Sequence, residues 1–88
     1  MLNSKIPEID VHGLTRVKAR EYIYEEILKF QKKGIYCYKI VHGFNNGNAI
    51  KTWIRGSLNI YDDLNVDKIS DDPLNPGATY IFCKRKLG

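Results

Sequence analysis

The chain has two histidines, and both stand in the same setting, Val11-His12-Gly13 and Val41-His42-Gly43. With glycine at roughly 7% of residues, two histidines would both precede glycine by chance in about half a percent of cases, so the repetition asks for a shared cause. Imidazole as a class titrates near neutral pH, and a pair of them at one site has the chemistry of a general base and a general acid for cleaving a phosphodiester. Asp10, two residues before His12, projects from the same side of an extended segment and is placed to orient that ring. Two further readings stand beside this one. Each histidine could simply cap a strand end by bonding backbone, or Asp10, His12 and His42 could take a divalent metal, a set without a further carboxylate to complete the shell. No other cofactor is expected.

These side chains need elements to hold them. Ile9-Asp10-Val11-His12 alternates apolar and polar and stops at Gly13, the pattern of a short strand entering a turn. Thr15 is placed to cap a helix from Val17 to Lys33, with Ala19, Ile23, Ile27 and Phe30 at helical spacing, Glu25 and Lys29 as an i,i+4 pair, and Gly34 as the stop. Ile35 to Val41 is rich in β-branched and aromatic residues and reads as a second strand. After the turn-rich Gly43-Phe44-Asn45-Asn46-Gly47, Asn48 is a candidate N-cap for a second helix whose stripe is Ile50, Trp53, Ile54 and Leu58, with Trp53 as a packing anchor. A short third strand is expected near Val66 to Ile69, a turn from Asp72 to Gly77, and a last strand from Ala78 to Cys83. Tyr36, Tyr38, Tyr80 and Phe82 share parity on two of these strands, which predicts that they line one sheet face, as core or, on an uncovered face, as rings for unpaired bases.

The resulting order, β-α-β-α-β-β, describes an α/β (α+β) two-layer sandwich with a mixed four-stranded sheet and two helices. A right-handed β-α-β unit makes its strands parallel, so both histidines fall along one edge of the sheet, the edge where open α/β sheets bind ligands. The amino ends of both helices arrive at that edge, and their N–H groups and partial positive charge suit phosphate. Arg16, Lys51 and Arg55 lie in the first turns. The glycines and asparagines of residues 43 to 47 can turn amides inward as an anion nest. Gly13, Arg16, Gly43, Asn45, Asn46, Gly47, Asn48, Lys51 and Arg55 are therefore the candidate phosphate-binding set.

Composition narrows the partner. Hydrophobic residues make up 43% and charged residues 27% of the 88 residues, which excludes a disordered chain and leaves room for one domain. There is no apolar run of bilayer-spanning length and no secretory signal pattern at Met1 to Glu8, so a soluble cytoplasmic protein is expected, and it is read as a monomer. The net charge is +4, and it is concentrated: residues 1 to 60 hold ten basic and five acidic groups, whereas the segment Asp62 to Asp72 is acidic. A basic surface favours polyanions by counterion release. Cys37 and Cys83 lie in apolar runs without metal-ligand spacing and are read as buried, unpaired thiols.

Asp10-Val11-His12-Gly13 looks like the strand-end DxHG motif of the Smr (small MutS-related) domain family, His42 to Gly47 like its HGxGxG loop, and Pro76-Gly77-Ala78-Thr79 like the turn into its final strand. The resemblance covers residues 9 to 84, leaving 1 to 8 as an N-terminal extension and 85 to 88 as a basic end. It implies a fold similar to the C-terminal domain of bacterial translation initiation factor three and a nucleic acid, DNA or RNA, as partner, since the family includes DNA-nicking and RNA-cleaving endonucleases. By position it implies Asp10 and His12 as the active pair, with His42, Gly43 and Gly47 shaping the phosphate loop. The departure is inside that loop, where Asn45 replaces the middle glycine and Asn46 the small residue after it. Asparagine tolerates the left-handed conformation, so the loop can keep its path. An Smr-type endonuclease, a module that binds nucleic acid or a ribosomal or repair partner without cutting, and a purely structural domain are the readings to separate.

Overall fold

The computed structural model describes residues 6–43, 52–54, 56 and 64–85. Strand β1 (Glu8–Asp10) buries Ile9 and exposes its neighbours, the alternation of a strand covered on one side. Helix α1 (Arg16–Lys32) starts where Thr15 Oγ1 accepts the Lys18 N–H at 3.2 Å, and its stripe Ala19, Ile23 and Ile27 is fully buried. Strand β2 (Cys37–Val41) follows. Residues 52–54 and 56 are helical and belong to the second helix, which contributes Trp53 and Ile54 to the core. Strands β3 (Val66–Asp71) and β4 (Ala78–Cys83) complete a sheet of order β1-β2-β4-β3. β1 and β2 are parallel and the other pairs antiparallel, so the sheet is mixed as expected.

Both helices cover one face. Ala19, Ile23, Ile27, Trp53 and Ile54 form one apolar cluster with Ile9, Tyr38, Ile40 and Ile81 of the sheet. Trp53 is the anchor its sequence setting suggests, 8% exposed, with the Arg20 guanidinium 5.9 Å from its ring centroid. Ile50 and Leu58 of the predicted stripe lie outside the described residues. Gln31 Nε2 donates to the Leu64 carbonyl at 2.7 Å and ties the end of α1 to the chain entering β3.

Several local expectations are corrected. β2 begins at Cys37 and not at Ile35, because the Ile35 N–H bonds the Phe30 carbonyl (2.9 Å) and the Gly34 N–H the Gln31 carbonyl (3.0 Å), a pattern that closes α1. β1 ends before His12, whose N–H is taken by the Asp10 side chain instead of the ladder. Lys29 pairs with Glu26 at 2.8 Å, one position nearer than Glu25. The four aromatic rings do not share a face. The antiparallel register sets Tyr38 opposite Ile81 and Lys39 opposite Tyr80, so odd residues of β2 meet even residues of β4. Tyr38 lies in the core with its hydroxyl donating to the Ile35 carbonyl, and Tyr36 packs against that core, whereas Tyr80 and Phe82 lie on the opposite face of the sheet. Cys37 shares that face and is half-buried, whereas Cys83 is buried on the other side, where burial pushes its thiol up to about 11. The opposed directions of their side chains keep both thiols unpaired.

Candidate nucleic-acid interface at the strand-end edge

The parallel register, Asp10 beside Val41, carries the two Val-His-Gly segments to the same edge. The Val11 N–H continues the ladder to the Val41 carbonyl at 2.9 Å. Beyond it both chains turn in the same way: Gly13 and Gly43 have φ of +81° and +86°, a left-handed backbone that explains why glycine follows each histidine. At Gly13 a side chain would meet nothing within 4 Å, so the dihedral alone requires glycine. At Gly43 a Cβ would lie 3.5 Å from His12 Cβ, which shows how closely the two turns approach.

The histidines themselves are unlike. His12 is exposed, its side chain 67% accessible, and its Nδ1 lies 2.5 Å from Asp10 Oδ1. The same carboxylate oxygen accepts the His12 backbone N–H at 3.2 Å. That ring hydrogen bond holds the Asp10 carboxyl below the ordinary carboxylate range, against a smaller opposing effect of burial. An ionised carboxylate only accepts, so Nδ1 carries the hydrogen, and it is the neutral form of the ring that has its lone pair on the outward Nε2.

His42 is 2% exposed. Its Nδ1 is 3.0 Å from the Gly43 carbonyl and its Nε2 is 2.8 Å from Thr79 Oγ1. A carbonyl cannot donate, so the neutral ring donates from Nδ1 and accepts the Thr79 hydroxyl proton at Nε2. The Gly77 carbonyl accepts both the His42 N–H (2.9 Å) and the Gly43 N–H (3.0 Å), pinning the end of β2 to the start of β4. A Cβ on Gly77 would lie 3.3 Å from Asn75 Oδ1 and 3.4 Å from the Gly43 backbone, so the two turns are closely packed here. Behind it, Asp72 Oδ1 accepts the Leu74 N–H at 2.9 Å and Asn75 Oδ1 the Gly77 N–H at 3.0 Å. Asp72 Oδ2 also lies 3.4 Å from Lys39 Nζ. The Leu74 bond first, and Lys39 after it, keep the Asp72 carboxyl below its ordinary range.

The Smr domain profile matches residues 9–84. The chain belongs to the Smr domain family. Its fold is similar to the Smr domain of Thermus thermophilus MutS2, with a TM-score of 0.79 at 23% identity over 90% of this chain and 99% of that one. A comparison with curated proteins finds no match. In this Smr domain the strand-end motif and the start of the loop motif are therefore brought side by side, with Asp10, His12, Gly13, His42 and Gly43 at one edge. Arg16 is exposed as the first residue of α1, a helix without an acidic residue in its first turn. Asn45, Asn46, Gly47, Asn48, Lys51 and Arg55 lie outside the described residues. Among the described residues, no group of three His, Cys, Asp or Glu side chains is placed to hold a metal, and no helix is long and apolar enough to cross a membrane. Asp10 and His12 bond each other while His42 faces Thr79.

Sequence reasoning took Gly77 and Thr79 only as part of a motif and gave Asp72 and Lys39 no part in the site. Thr79 had a signal of its own: a hydroxyl on a strand of otherwise apolar core-facing positions needs a buried partner.

Proposed function

We propose that this Smr domain binds DNA or RNA along the strand-end edge and cleaves phosphodiester bonds there, with His12 as the proton-transfer group. The observation that carries the reading is an exposed imidazole whose tautomer and direction are set by Asp10, beside a left-handed backbone turn and the amino end of α1. Nε2 of His12 takes the proton from the attacking hydroxyl, of water or of a ribose 2′ position, as that oxygen bonds phosphorus. The bond to the leaving oxygen breaks and that oxygen takes a proton from solvent, to which His12 then returns its own. Gly13, Arg16 and Gly43, with the loop residues Asn45 to Asn48 and with Lys51 and Arg55, hold the phosphates. His42 acts through its hydrogen bonds, as the residue that fixes the Gly43 turn. The setting is a cytoplasmic monomer.

A second reading, binding without cutting, is favoured by the burial of His42, which takes one of the two imidazoles away from an incoming phosphate, and by Asn45 and Asn46 in the loop. Incubating the purified domain with supercoiled plasmid and separately with structured RNA decides between them. Nicking or cleavage that disappears in His12→Ala supports the enzyme. Retention of both nucleic acids without cleavage leaves the binding module, and neither binding nor cleavage rejects both.

A further inference from the structure

Tyr80 and Phe82 lie on β4, a central strand, facing away from the helices, and both are only half-buried. Their ring centroids are 6.4 Å apart and the planes are inclined by 36°, so they stand side by side instead of covering each other. Lysines flank them on the same face. Lys39 Nζ, held by Asp72 and Glu8, is 5.9 Å from the Tyr80 centroid, and the exposed Lys68 of β3 is the register partner of Phe82. Adjacent rings flanked by ammonium groups, of which Lys68 is exposed, suit successive unpaired bases and a neighbouring phosphate. The face is also continuous with the candidate site. Asp10, in register with Val41, lies one row along from Lys39 and Tyr80. Tyr80 is thus about 10 Å across two strand spacings and about 7 Å along from the Asp10–His12 pair, within reach of a nearby nucleotide.

We infer that the face of the sheet opposite the core cluster is a stacking surface for the bases of single-stranded nucleic acid, received by Tyr80 and Phe82. The inference rests on the reading that the domain binds nucleic acid, and it names the form bound. Paired bases keep their faces inside the duplex and cannot reach these rings, so the unpaired strand is favoured.

The test uses the whole chain with short oligonucleotides carrying 2-aminopurine, as single-stranded DNA, single-stranded RNA and the matching DNA duplex. Tyr80→Leu and Phe82→Leu remove the ring and keep an apolar side chain, and Tyr80→Phe keeps the ring. Affinity for single strands falls about 5- to 150-fold per lost ring, the range of one base–aromatic stack, while duplex affinity and Tyr80→Phe stay at the unaltered level. The two single-stranded arms show whether the 2′-hydroxyl matters. Unchanged single-strand affinity in both leucine variants overturns the inference, and so does an equal loss for single strand and duplex. An unaltered protein that binds none of the three overturns the proposed function itself. Should a leucine variant fail to fold, Tyr80 and Phe82 ring protons of the unaltered protein are followed by NMR. Upfield shifts on adding a single strand support stacking, and their absence overturns it. Occupation of the face by an acidic peptide, with ring protons moved by the peptide and not by the oligonucleotides, also overturns it.

Discussion

Nε2 of His42 lies 2.8 Å from the hydroxyl of Thr79, and both residues are buried where β2 ends and β4 begins. This bond joins two sequence motifs 37 residues apart. Thr79→Val, which removes the hydroxyl and keeps the shape, should leave a buried ring nitrogen without that partner and lower stability by about 1–3 kcal/mol. Thr79→Ser should recover most of it. Urea unfolding of the three proteins measures the difference.

His12→Ala should abolish cleavage and leave most binding in place, since binding rests on helix-end amides and several basic groups. Asp10→Asn should lower the rate by loosening the ring without changing the affinity by more than a few-fold. Single-turnover rates set beside equilibrium binding separate the two effects. Cleavage undiminished in His12→Ala would place the chemistry elsewhere.

The Asp10 carboxyl gives a pH signature. Its folded value is lowered, chiefly by the His12 hydrogen bond, so the interaction is fully present above the ordinary carboxyl range and is lost as pH falls through the lowered folded value. In a carbon-detected NMR titration Asp10 should therefore have its midpoint below 3.8, and His12→Ala should raise it. An unchanged midpoint in the variant would show that the pair does not persist in solution.

Gly43→Ala should cost about 1–2 kcal/mol, because alanine resists a φ of +86°, and should weaken nucleic-acid binding by displacing the turn. Gly77→Ala should act at a distance, pushing on the Gly43 backbone 3.4 Å away. Thermal melts report the first effect, and amide shifts of His42 and Gly43 the second.

Binding should weaken steeply with salt. Arg16→Glu, and likewise Lys51→Glu or Arg55→Glu, should flatten the slope of log affinity against log salt by about 0.7–0.9 for each phosphate contact removed. Substitutions at Asp62 or Asp63 should leave the slope alone.

Much of this arrangement was legible in the chain. The capped helix with Ala19, Ile23 and Ile27 inward and the last strand at Ala78 to Cys83 followed from spacing, because each has one buried face and a clear stop. The coincidence of the two His-Gly steps pointed to one edge, and the shared positive φ supplies its cause. What the chain did not disclose depends on pairing. The sides taken by Tyr38 and Tyr80 follow from the β2–β4 register, and the difference between His12 and His42 comes from Thr79, a residue distant in sequence. The short reach of β1 was hidden for another reason: the Asp10 side chain competes for a backbone donor.

That competition falls on a strand of three residues at the edge of the sheet, paired among the described residues only to β2. Hydrogen-bonded on one side and anchored chiefly by Ile9 and the adjoining Val11, β1 should open before α1, β2 and β4 separate. Asp10 and His12 ride on that segment, whereas His42 and Gly43 belong to the better-held interior. Warming should therefore silence the domain in two stages, with amide exchange at residues 9–11 and loss of catalysis preceding the cooperative melt, so that heat tolerance of the fold and heat tolerance of its chemistry are separate properties.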